Sequence, residues 1–114
     1  MKVQYLEIVT PDVDAVCSLY SKIHGVSFSE PDQNVGGART AGLEDNVTLG
    51  VRSPMHAGEH PVVRPYIVVE DIEVAVRHAE QTGAQIIVPP MPIPGKGMCA
   101  IVYQGGIELG LWQL

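Results

Sequence analysis

Two stretches of this chain alternate apolar and non-apolar positions in the same way and nearly copy one another. In Val47-Thr48-Leu49-Gly50-Val51-Arg52 and in Ile107-Glu108-Leu109-Gly110-Leu111-Trp112, every odd position is aliphatic. Every even position is polar, bulky or a glycine. Period-two alternation marks a strand with one face on a core and the other face open. A repeated strand points to a repeated module.

The rest of the chain supports the repeat. Val3–Val9 reads as a strand with Leu6 and Ile8 on one face and Tyr5 and Glu7 on the other. Thr10-Pro11-Asp12 predicts a helix start, with Thr10 as N-cap and Pro11 in the first helical position. Val13, Val16, Cys17, Tyr20 and Ile23 then form one apolar stripe at helical spacing, ended at His24-Gly25. A short strand near Val26–Phe28, a polar loop and a strand around Ala38–Ala41 lead to the first copy of the repeated strand. Residues 54–61, with two prolines and Gly58, read as a linker. The second half replays the first. Val62–Val69 is a strand carrying Arg64 and Tyr66 on one face. Asp71 caps a helix with the stripe Ile72, Ala75, Val76 and Ala79. Gln85–Val88 and Met98–Val102 are strands, and Gly105-Gly106 turns into the last strand. Pro89–Gly97 reads as a mobile flap in which Lys96 could meet an anion.

Ile8 and Asp12 match Ile67 and Asp71 at a shift of 59 (67 − 8 and 71 − 12). The expected fold is therefore α+β. Two tandem βαβββ modules form a curved mixed sheet, with helices on the outer face and a cleft on the inner face. Residues 1–114 are read as a single domain, with module one over about 1–53 and module two over about 62–114.

Composition narrows the function classes. The formal net charge is −6 and no run of Lys or Arg occurs, so a nucleic-acid footprint is not expected. No apolar run approaches the ~20 residues of a membrane-spanning helix. Met1-Lys2-Val3-Gln4 leads into a strand pattern rather than a signal peptide. Cys17 and Cys99 lie within apolar periodic segments and are expected to be buried thiols, consistent with a cytoplasmic location.

Two βαβββ modules ending in Gly110-Leu111-Trp112-Gln113 resemble the glyoxalase/bleomycin-resistance/extradiol-dioxygenase, or vicinal oxygen chelate, superfamily. The likeness covers nearly the whole chain and is most specific from Tyr5 to Gly25 and from Ile93-Pro94-Gly95 to Gln113. In metal-dependent members, four ligands come from the first and last strands of each module. The resemblance places those positions here at Tyr5, Gly50, Arg64 and Gly110. None is a His, Glu or Gln, and a guanidinium repels a divalent cation. The resemblance therefore implies the fold and a cleft without the metal, and no cofactor is expected.

Period two places Tyr5, Glu7, Thr48, Gly50 and Arg52 on the cleft face of the first module, and Arg64, Tyr66, Glu108, Gly110 and Trp112 on that of the second. Glycines at 50 and 110 are expected to leave open volume. One reading pairs Glu7 and Glu108 with Arg52 and Arg64 in a structural network, since unpaired buried acids are costly. Another makes Tyr5, Glu7, Arg52, Arg64, Tyr66, Glu108 and Trp112 a ligand site. There an Arg holds an anionic group and the rings supply flat apolar surface. The corresponding function is a metal-free, drug-sequestering type of protein that binds a small anionic or aromatic molecule, with a homodimer expected. The alternative is a glyoxalase-like lyase, isomerase or dioxygenase-type enzyme using Glu7 or Glu108 in acid–base catalysis, or a metal held by non-standard ligands. A third reading is an accessory domain whose cleft is filled by its own ion pairs. His56-Ala57-Gly58-Glu59-His60 fits the H-x-x-E-H frame of zinc peptidases, but Pro54, Gly58 and Pro61 argue against the helix that this chemistry needs.

Overall fold

The computed structural model describes residues 1–114. It contains seven strands and two α-helices. Tyr5–Val63 form one compact unit, and Arg64–Leu114 with Met1–Gln4 form the other.

The first unit holds β1 (Val3–Val9) from Tyr5 onward, then α1 (Val13–His24), β2 (Arg39–Gly42) and β3 (Thr48–Arg52). The strand order is β2-β3-β1. β1 runs parallel to β3, with Leu6 opposite Leu49, Glu7 opposite Gly50 and Ile8 opposite Val51. Alternation then sorts the side chains. Ile8, Leu49 and Val51 pack with Cys17 of α1, and Leu6, Val13, Val16 and Tyr20 surround them. Burying such aliphatics contributes about 1.5–3 kcal/mol each.

The second unit contains β4 (Val62–Val68), α2 (Ile72–Gln81), β5 (Gln85–Ile93), β6 (Gly97–Gln104) and β7 (Ile107–Gln113) in the strand order β4-β7-β6-β5. Ile72 and Val76 of α2 pack on Ala100, Val102 and Leu111. The first residues of the chain join this unit, where the Lys2 carbonyl accepts from the Val68 amide at 2.8 Å. Parallel β4/β7 sets Tyr66 opposite Gly110 and Ile67 opposite Leu111, the same relation that β1 has to β3. Gly105 and Gly106, both at positive φ (63° and 79°), make the tight β6–β7 turn that L side chains would resist.

Four local expectations are corrected. No strand forms at Val26–Phe28. The Ser29 hydroxyl takes the Thr40 amide at 3.0 Å, a donor that a neighbouring strand would otherwise use. Pro31 has no N–H to extend a ladder. What remains of a ladder is a bridge at Asp32–Ala38 and a bond from the Ser29 amide to the Thr40 carbonyl at 2.8 Å. The stretch read as a flap is mostly strand, because β5 continues to Ile93. Pro89, Pro90 and Pro92 are tolerated because β5 is an edge strand, and its register breaks near them. Thr10 and Pro11 lie outside α1, whose N-cap is Asp12 without a side-chain cap bond; the Thr10 hydroxyl instead accepts from the Asp12 amide at 3.1 Å. Ile107 and Leu109, read as core-facing, are 70% and 40% exposed. Asp71 caps α2 as expected, accepting from the Glu73 and Val74 amides.

Candidate functional site

In the first unit, the face of β1 and β3 turned away from α1 carries Tyr5, Glu7, Gly50 and Arg52. Tyr5, Glu7 and Arg52 are all buried, at 4%, 6% and 5% exposure. Arg52 ends β3 and is held from two sides. Its Nε donates to Glu7 Oε2 at 2.9 Å. Its Nη1 and Nη2 form a fork on Glu59, donating to Oε1 at 2.8 Å and Oε2 at 2.7 Å. Nη1 also donates to the Ser53 carbonyl. Donating hydrogen bonds to Glu59 raises the Arg52 pKa further; burial opposes this and Glu7 adds to it. This guanidinium is permanently charged and flanked by two carboxylates.

Tyr5 lies across Gly50. A Cβ at Gly50 would fall on the Tyr5 hydroxyl. Burial pushes the phenol above its ordinary pKa, with Glu7 adding and Arg52 opposing. In the second unit a Cβ at Gly110 would fall on the Tyr66 ring. The expectation of open volume at the two glycines is therefore corrected: each glycine makes room for a tyrosine ring of its own unit.

The second unit gathers Arg64, Tyr66, Glu108 and Trp112. Arg64, Tyr66 and Trp112 are buried. Arg64 donates through Nε to Glu108 Oε1 at 3.0 Å, and Nη2 bonds the same oxygen. The Glu108 side chain is 34% exposed, against 5% for Arg64. Tyr66 and Trp112 meet edge to face at 5.7 Å and 89°, the arrangement that ring quadrupoles favour. The indole N–H donates to the Lys96 carbonyl at 3.0 Å, fixing Trp112 to the β5–β6 turn.

Each sequence-derived site residue thus stands on a polar face of its own unit, and each acid meets the arginine of that unit. Arg39 sits apart, bonded to Asp14 of α1 and the Ser29 carbonyl. Glu59 escaped sequence reading because a loop has no periodicity to orient its side chains. A groove of about 710 Å³ was equally invisible; it is lined by Leu6, Tyr20, His24, Leu43, Val47 and Leu49 among others. His56-to-His60 is not helical, and the His56 Nδ1 accepts from the Gly58 amide. No three His, Cys, Asp or Glu side chains converge on a metal position. Tyr5, Gly50, Arg64 and Gly110, the positions that the resemblance assigns to metal ligands, do not fit a divalent ion, because rings cover both glycines and Arg64 is a cation.

Two strand–helix units, each with its first strand parallel to its last, give the vicinal oxygen chelate fold. No family model matches the sequence. The chain is 25% identical, in an alignment of 115 positions that covers 96% of it, to the "Putative glyoxylase CFP32" of Mycobacterium bovis and of Mycobacterium tuberculosis. It spans 44% of the length of these curated relatives. Among solved structures it is similar to hypothetical protein BH1468 from Bacillus halodurans, with TM-score 0.74 and 16% identity over 99% of this chain and 94% of that one. The methylmalonyl-CoA epimerase of Mycobacterium tuberculosis follows, with TM-score 0.71 and 15% identity over 97% and 86%. No helix is long and apolar enough to cross a membrane.

Proposed function

We propose that this chain binds a small carboxylate-bearing molecule of partly aromatic character, without a metal, through Arg64, Tyr66, Glu108 and Trp112. The observation that carries the reading is the unequal burial within one ion pair. Arg64 is held in the interior, whereas the carboxylate opposite it is about one-third exposed, and Tyr66 and Trp112, from the same two strands, pack edge to face. A buried ion pair gives little net stability over apolar residues of the same size, so stability alone does not account for it. A guanidinium fork recognises planar carboxylates, and rings beside it supply apolar contact. Arg52 is less suited to this role as it stands, since two carboxylates already flank it.

Trp112 is the single tryptophan of the chain, so its fluorescence reports on this cluster directly. Titration with benzoate and short aliphatic carboxylates is expected to give a saturable change. Benzamide, the neutral counterpart, should give none, and Arg64→Met should abolish the response. Saturation by benzamide, or an unchanged response in Arg64→Met, would rule the reading out.

An enzymatic reading is favoured by one fact only. Of the two acids considered for acid–base work, Glu7 is enclosed with Arg52, while Glu108 is open enough to meet a substrate. In that case Glu108→Gln would abolish turnover yet retain carboxylate binding.

A further inference from the structure

We propose that residues 53–61 form a displaceable strap whose Glu59 carboxylate fills a carboxylate-binding site on Arg52. The inference concerns residues 5–63 alone and does not rest on the reading of Arg64, so either can fail while the other stands.

The strap has no regular secondary structure, and Ser53, Met55 to Gly58, His60 and Pro61 are all exposed. Its internal backbone bond, from the Glu59 amide to the His56 carbonyl, closes the loop on itself rather than on a strand. What reaches inward is Glu59, whose side chain is only 15% exposed. It meets the Arg52 guanidinium with both oxygens, at 2.8 and 2.7 Å, and Oε1 also accepts from the Met55 amide at 2.7 Å. Met55 adds a second, apolar tie by laying its methyl over Gly36.

The two carboxylates on Arg52 have different mountings. Glu7 comes from β1, whose register with β3 is fixed by the ladder, so its bond to Nε belongs to the sheet. Glu59 comes from a solvated loop and takes the forked edge of the guanidinium, the edge that binds planar carboxylates in two parallel hydrogen bonds. A tethered group competes at high effective concentration, so Glu59 blocks the site in the resting chain. A free carboxylate with contacts of its own can replace it by lifting the strap. The strap is thus an autoinhibitory contact, and the ligand class is a small monocarboxylate.

Chemical rescue tests this directly. Glu59→Ala retains the Cβ and removes a fragment the size of acetate. In chloride buffer its Tm is expected to fall by roughly 5–15 °C, because a buried cation loses one of its partners. About 100 mM acetate at matched ionic strength should restore at least about a third of the loss, by binding the native state. The double variant Arg52→Met/Glu59→Ala should show no such recovery. If Glu59→Ala is unfolded in chloride, its far-UV signal should return in acetate. In the unaltered protein, amides of residues 53–61 should exchange with solvent at least about 100-fold faster than those of β3. Three results overturn the proposal: no acetate effect, recovery by phosphate or sulfate but not by carboxylates, or strap amides as protected as the strand. Any of these would leave Glu59 a structural staple.

Discussion

At the scale of single residues, the glycines of the two repeated strands carry the most information. Gly50 and Gly110 hold corresponding places in those strands, and each admits the ring of a tyrosine, Tyr5 or Tyr66. Gly50→Ala should therefore cost about 1–3 kcal/mol by overpacking. Tyr5→Leu should offset part of that cost in a double-mutant cycle read by urea unfolding, whereas additive costs would show that the two do not meet. The buried phenol also predicts a pH dependence. Its folded pKa lies above the ordinary value of about 10, so the folded state binds more protons than the unfolded state above that pH. The contribution is complete below about pH 10 and is lost as pH rises beyond it. Tm measured from pH 9.5 to 11.5 should fall more steeply in the unaltered protein than in Tyr5→Phe.

At the scale of elements, the two units share a helix after the first strand and a parallel pairing of first and last strands, but the second has one strand more and local chemistry differs between them. Asp71 caps α2 through two amides, while α1 starts at Asp12 with no side-chain cap bond. Asp71→Ala should cost about 1 kcal/mol and Asp12→Ala much less, measured as the shift in urea midpoint at constant m. Equal costs would mean that the cap geometry does not hold in solution. The α2 start was legible because Asp precedes an apolar stripe at helical spacing. The α1 start was misread because Thr10-Pro11-Asp12 offers more than one capping register, and only the fold selects among them. The same limit explains β5. Its prolines read as loop residues, and nothing in the sequence reveals that the strand lies at an edge where their missing N–H groups cost little.

At the scale of the whole molecule, the fold is that of the vicinal oxygen chelate proteins, and the polar face of each unit holds ion pairs rather than a ligating set. Glu7–Arg52–Glu59 and Arg64–Glu108 engage the acids with guanidinium groups. Addition of Ni, Zn, Mn or Fe(II) salts is therefore expected to leave Tm within about 1 °C of the metal-free value, whereas tight binding at 100 times Kd would add about 2.7 kcal/mol. A stoichiometric, stabilising metal in elemental analysis would contradict this picture.

The sequence by itself determined the alternating strands, the helix stripes, the duplicated order of elements and the side chains that share the polar face. Those properties follow from the periods of 2 and 3.6 residues that backbone geometry imposes locally. Only the tertiary structure decided which group each charged side chain meets and what fills the space above a glycine. Glu59 is the clearest case, since its position in an aperiodic loop gives no sign of where it points until the chain folds back onto Arg52. Such contacts arise from proximity between segments that no local period relates, and the candidate binding chemistry resides in them.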